Sequence, residues 1–269
     1  MLVIYPGVEH ESADFDLDPV IASARWQMEE RHFWHAARNR WIELALQHHG
    51  VRPPARVLEV GCGSGELALA LSAEGWRVTA VDPEAPEGPP FVRAAVEDLD
   101  AADHGPFDAV VAVLSLHHAG VVGTVLDKVR SLLKPGGVLV VDEFRKEHLV
   151  DRATAAFFYH QQLSLIHAGR KGNDDGGHGG HGDHRTDGGS FEWWYAHTLG
   201  RRAGLHGEGE VLEALEVRFV TRSLSYGPYL FRHGLDTSVE PLERKLIAEG
   251  GIRATGLRWV GVLEAEPPG

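Results

Sequence analysis

Cysteine is almost absent from this chain: Cys62 is the single one in 269 residues. That excludes an internal disulfide and suits a reducing compartment. Long apolar runs are missing too, and no segment approaches the roughly 18 uninterrupted apolar residues of a membrane-crossing helix. Met1–Tyr5 is too short for the core of a secretory signal and lacks a basic leader, so a cytoplasmic location without membrane attachment is expected. Positive charge is also scarce. With 26 Lys and Arg against 39 Asp and Glu, the net charge of −13 repels a phosphate backbone. Basic residues are scattered apart from pairs such as Arg201-Arg202, so no nucleic-acid partner is expected. What the chain does have is a 43% apolar composition, enough to bury the core of one decorated domain.

The apolar pattern alternates between helical and strand periods, which marks parallel β-α-β units. Trp26, Phe33, Trp34, Ala37, Trp41 and Leu44 recur at helical spacing and predict an amphipathic helix from Trp26 to about Leu46. Strands are expected at about 55–60, 76–82, 91–95, 107–114 and 137–144, then at about 216–224 and 256–265. A helix is expected over Thr124–Leu133, stopped by Lys134-Pro-Gly-Gly137, and another over Val239–Glu249. Between them an aromatic helix from Thr154 to Ile166 leads into a Gly/His-rich stretch, residues 170–190, read as a mobile loop. Its His178, His181 and His184 invite a metal hypothesis, but a flexible glycine loop does not preorganise ligands and no metal is expected.

The most informative stretch is Arg56-Val-Leu-Glu-Val-Gly-Cys-Gly-Ser-Gly-Glu66. An apolar strand runs into Gly61, Gly63 and Gly65, and an amphipathic helix follows at once. Such a turn brings backbone against a nucleotide-like ligand. A dinucleotide G-x-G-x-x-G pattern would need glycine where Glu66 stands, and no Gly-Lys-Ser/Thr completes a P-loop. What remains is E-x-G-x-G-x-G at a first strand tip, which resembles the class I S-adenosylmethionine (SAM) methyltransferases of the bacterial small-molecule type.

That resemblance implies an α/β fold: a Rossmann-like seven-stranded sheet with helices on both faces and a last strand antiparallel beside the fifth. It implies an N-terminal helical cap over 1–50, a methyltransferase domain over 51–269, and a helical and loop insertion between strands five and six. SAM is the implied cofactor and S-adenosylhomocysteine its product. In the resemblance, Gly61, Cys62 and Gly63 line the methionine end and Glu59 orders the turn or meets the methionine ammonium. Asp82, 17 residues beyond Gly65 and followed by Pro83, ends the second strand where a carboxylate can accept both ribose hydroxyls. Ala95 stands where many members carry an adenine-binding aspartate, so Glu97 or Asp98 is expected to take that role. Glu30–Arg40 is similar to the E-x-x-H-F-W-x-x-x-R leader of a bacterial subset, which nominates Arg38 for the methionine carboxylate.

Methyl transfer is an in-line displacement, so a nucleophile must be held behind the methyl carbon and stripped of its proton where needed. Candidate bases leave the ends of the fourth and fifth strands: His117 and His118 in Leu114-Ser-Leu-His-His118, with Leu114 at the pocket, and Glu143 in Asp142-Glu-Phe144. Trp193, Tyr226 and Tyr229 are nominated for an acceptor pocket suited to a flat small molecule. The acceptor atom stays open among oxygen, nitrogen and carbon, and a homodimer is left open. Use of SAM without methyl transfer and a non-catalytic SAM-binding subunit are the alternatives.

Overall fold

The computed structural model describes residues 33–173, 190–200, 205–233 and 239–264. The segment before Phe33 and nearly all of the Gly/His-rich stretch lie outside them. In chain order the elements are α1 (Phe33–His48), β1 (Arg56–Val60), α2 (Glu66–Ala73), β2 (Arg77–Asp82), β3 (Phe91–Arg93), α3 (Ala101–His104), β4 (Phe107–Val113), α4 (Val122–Leu132), β5 (Leu133–Phe144), α5 (Arg152–Asn173), α6 (Phe191–Gly200), α7 (Glu208–Glu216), β6 (Val220–Gly227), α8 (Val239–Ala248) and β7 (Gly256–Val262). The strands form one seven-stranded sheet in the order β3-β2-β1-β4-β5-β7-β6. All neighbours through β5 are parallel, and β7 inserts antiparallel between β5 and β6.

Alternation along the strands divides the core into two layers, because successive side chains point to opposite faces. Leu58, Val110, Leu139 and Val141 meet α4 and α7 on one face, where α4 presents Val122, Val125, Leu126, Val129 and Leu132 at helical spacing. Val57, Ala109, Val111, Val138 and Val140 meet α1 and α2 on the other, sealed by Ile42, Leu46, Leu67, Leu71 and Trp76. Strand order reverses between β1 and β4, which opens a crevice at the carboxyl ends of the central strands.

Several elements depart from their expected bounds. The run Lys134-Pro-Gly-Gly137 does not separate α4 from β5 as a loop; it forms the irregular first part of β5, with a register shift against β4. Strand β6 begins four residues later than expected, because Glu208–Glu216 is a helix that the sequence reading did not anticipate. As an edge strand β6 is exposed along most of its length. No helix among the described residues is long and apolar enough to cross a membrane.

The C-terminal part is tied down by one buried carboxylate. Glu243 on α8 is fully buried and accepts backbone N–H bonds from Tyr229 and Leu230 at Oε1 (2.8 and 2.9 Å) and from Phe231 at Oε2 (2.7 Å). It thereby shapes the tight turn Leu230–His233 that follows β6. Glu243→Ala should strand three buried donors and lower stability by about 3 kcal/mol or more, since each orphaned group costs roughly 1–3 kcal/mol. Urea denaturation of the variant against the parent measures it; a loss under about 1 kcal/mol would mean that water replaces the carboxylate.

Candidate functional site

The glycine turn takes its shape from backbone that only glycine adopts comfortably. Gly61, Gly63 and Gly65 have φ of 73°, 51° and 84°, all in the left-handed region. At Gly65 a β-carbon would also stand 2.2 Å from the Phe91 ring. The turn is pinned to the second strand: Gly61 N–H donates to the Val81 carbonyl at 2.8 Å, and Gly65 N–H closes back on the Cys62 carbonyl at 2.8 Å.

Asp82 is 2% exposed and braces both sides of the crevice mouth. Its Oδ2 accepts from Gly63 N–H at 3.0 Å and its Oδ1 from Glu84 N–H at 2.9 Å. Each oxygen keeps a further lone pair. Pro83 is half-buried beside it, and the buried Cys62 thiol is pushed well above its ordinary pKa by burial and by the neighbouring carboxylates. Glu97 and Asp98 share the short turn Val96–Asp98 but differ in placement. Asp98 is exposed, whereas Glu97 is half-buried, its pKa is raised chiefly by burial, and its Oε2 is buried without a hydrogen-bond partner among the described residues.

Glu59 sits at the β1 tip with 3% exposure. Burial raises its pKa to about 8, against the pull of the Arg38 guanidinium and the Ala68 N–H. Its Oε2 is buried with no hydrogen-bond partner among the described residues. Arg38 on α1 is 7% exposed and donates to Asn39 Oδ1 at 3.1 and 3.0 Å. Its pKa is lowered first by burial and then by a second buried guanidinium, Arg232, with Glu59, Asp142 and Glu66 opposing. The structure thus gathers Arg38, Glu59, the glycine turn and Asp82 at the carboxyl ends of β1 and β2.

A second group gathers at the ends of β4 and β5. Leu114 has φ 53°, the one positive φ among the described non-glycine residues, and its N–H still bonds the Asp142 carbonyl at 2.9 Å. Such a conformation costs of order 1 kcal/mol and marks a chain held in place by its surroundings. The bend turns the next two backbone donors onto Glu143. Ser115 N–H and Leu116 N–H both reach Oε1, at 3.0 and 2.7 Å, while Oε2 meets His117 Nδ1 at 2.5 Å. Both Glu143 oxygens are therefore engaged, one by two backbone donors and the other by His117. His118 is half-buried with its ring 3.9 Å from that of His117.

The nominated aromatic residues separate. Trp193 and Tyr226 are 50% and 46% exposed, while Tyr229 is 4% exposed and stacks on Phe144 with centroids 4.6 Å apart. Sequence reading missed Arg232 and Gln161 altogether. Arg232 lies in the turn after β6 and donates to Asp142 Oδ2 at 2.8 Å. Gln161, on α5, is 7% exposed. Its only sequence signal is a polar residue one helical turn from buried Phe158.

Among known proteins, the family model described as "Methyltransferase domain" matches residues 31–197. The "Ubiquinone biosynthesis O-methyltransferase" of Xylella fastidiosa (strain 9a5c) is 38% identical over 117 residues, covering 38% of this chain and 45% of that protein. Its counterpart from Xanthomonas axonopodis pv. citri (strain 306) is 34% identical over 140 residues, covering 47% and 54%. The chain spans about half the length of the curated relatives it matches. In fold it is similar to the plantazolicin methyltransferase BpumL in complex with SAH, with a TM-score of 0.52, 12% identity and coverage of 93% and 92%. It is also similar to a chain of the Haloferax volcanii complex between the Trm112 methyltransferase activator and a methyltransferase, at TM-score 0.51, 19% identity and coverage of 92% and 98%.

The Glu59 shift has a defined consequence for stability. A carboxyl whose folded pKa is raised above its ordinary value binds its proton more tightly when folded, so that contribution is complete below about pH 4.5 and is lost as pH rises through about 8. Glu59→Gln removes the titration. Without ligand, its melting temperature relative to the parent should rise between about pH 5 and pH 8 and level off above that. A difference constant with pH would show that Glu59 is ionised throughout.

Proposed function

The chain belongs to the methyltransferase-domain family, and on that footing we propose that it transfers a methyl group from SAM to a hydroxyl of a small-molecule acceptor. The observation that carries the reading is the buried His117–Glu143 pair, standing at the same sheet edge as the glycine turn and Asp82. The matched relatives named O-methyltransferases favour oxygen as the acceptor atom.

The residues present fit the cofactor. An orphaned buried oxygen on Glu59 suits the methionine ammonium, and buried Arg38 suits the methionine carboxylate. Asp82 would accept the two ribose hydroxyls on its remaining lone pairs while it keeps the turn closed through Gly63. Glu97, or the backbone of its turn, is the better placed group for the adenine amino end, since Asp98 points to solvent. When bound, SAM supplies a methyl group activated by its sulfonium.

Among the chain's own groups, His117 takes the acceptor proton. A proton on Nδ1 donated to Glu143 leaves Nε2 as the accepting nitrogen, and the Glu143 carboxylate stabilises the imidazolium that forms. Leu114 and the two backbone donors hold Glu143 in that role. His118 packs against the His117 ring and limits its rotation.

Calorimetric titration with SAM and S-adenosylhomocysteine tests the cofactor half: the chain should bind both, and Asp82→Ala should weaken binding by about 1–3 kcal/mol. Absence of binding by folded protein would end the reading. For the chemistry, His117→Ala should keep S-adenosylhomocysteine affinity and lose turnover by about 100-fold or more. Glu143→Gln should lower kcat while S-adenosylhomocysteine affinity is kept, and unchanged kcat in both variants would leave proximity as the whole of catalysis.

A further inference from the structure

A separate cleft lies away from the carboxyl edge, between the second half of α1 and the neighbouring face of β6 and β7. Its volume is ≈ 470 Å³, within the range of roughly 300–1,000 Å³ that small-molecule sites occupy. Trp41, Leu44 and Val260 form apolar walls, and His48, His49 and Arg52 line it beside them. Val260 pairs with Val140, and Arg52 stands just before β1, so the cleft opens toward the amino ends of the strands. The Arg258 guanidinium carbon lies 4.5 Å from the Trp41 ring centroid and holds that wall in place. Leu44 is 47% exposed, so apolar surface here faces water rather than a packed neighbour.

The charges around this cleft are of one sign. Among the described residues no aspartate or glutamate lines it, although the chain carries 39 of them against 26 Lys and Arg. Glu43, on the same helix, is taken by Arg40 at 2.6 Å and by Gln47 at 2.8 Å. A register shift between Thr221 and Ser223 makes Arg222 the extra residue of β6, and a bulge of this kind re-aims a side chain. Arg222 is near enough to His49 to help lower its pKa, after burial and His48. Arg52 and Arg222 are exposed, and among the described residues neither has a carboxylate partner. Two guanidiniums and two imidazoles beside an apolar wall, in an otherwise acidic chain, make a local positive field that draws in an anion.

We propose that this cleft is an accessory site for a small amphiphilic anion, an organic acid whose apolar body lies against Trp41, Leu44 and Val260 and whose carboxylate meets Arg52 and Arg222. The apolar walls supply contact area, and the guanidiniums select for charge. None of these residues belongs to the glycine turn, to Asp82 or to the His117–Glu143 pair, so the inference does not rest on the methyltransferase reading.

Calorimetric titration of the full chain with 2-naphthoate and with neutral 2-naphthamide, each with and without saturating S-adenosylhomocysteine, tests this. The acid should bind about fivefold or more tightly than the amide under both conditions. Arg52→Gln combined with Arg222→Gln should abolish that preference while amide binding is kept, and Leu44→Glu should weaken binding of the acid by about tenfold or more. All three side chains are exposed, so the variants should melt with the parent. Equal binding of acid and amide, no binding of either, or a preference untouched by the variants overturns the proposal. A parent dimer that Leu44→Glu dissociates in sedimentation, with no naphthoate bound, also overturns it and makes the cleft an interface between two copies of the chain.

Discussion

A carboxylate buried at a strand end has to be met by donors, and Glu59, Asp82, Asp142 and Glu143 place that constraint along the carboxyl edge of the sheet. Their answers organise the molecule. Asp82 draws in the glycine turn, Glu143 draws in the turn after β4, and Asp142 draws in the turn after β6 through Arg232. Loops from three crossovers are thus held over the same crevice by groups on the sheet itself. Glu59 is the exception, since one of its oxygens finds no partner among the described residues and its proton is retained to about pH 8. That exception falls where the proposed function places the methionine ammonium of SAM.

The same economy explains why this site is carried by backbone as much as by side chains. Gly61, Gly63 and Gly65 permit left-handed backbone and close approach, and Leu114 adopts a similar φ without being glycine because the β4–β5 ladder and Glu143 hold both sides of it. Rigid strands therefore set the position of His117 to within a hydrogen bond. The C-terminal turn is positioned differently, by a side chain from a later helix, so the turn that carries Arg232 depends on α8 being docked.

Much of this was legible in residue order. The strand, three-glycine turn and helix around Gly61–Gly65 read clearly because glycine spacing and apolar period are local properties, and Asp82 followed from its distance to them. The sheet order also agrees with the resemblance, including the antiparallel last strand. Local signals failed where structure depends on partners. The Lys134-Pro-Gly-Gly137 run looks like a loop yet lies within β5 as its irregular start, and α7 carries the mixed composition of Glu208–Glu216 that hides its apolar stripe of Val211 and Leu215. Tyr226 and Tyr229 are equivalent candidates in sequence, but an edge strand turns one outward and Phe144 covers the other.

By itself the sequence determined the fold class, the nucleotide-like turn at the first strand tip and the acid at the second, because those depend on backbone freedom and on periods of a few residues. Only tertiary structure decided which charges meet. Glu143 and His117 are 26 residues apart, Asp142 and Arg232 are 90 apart, and nothing in local order pairs them. Their roles arise because parallel strands bring distant carboxyl ends into one low-dielectric edge, where the energy of each charge is set by its neighbours in space.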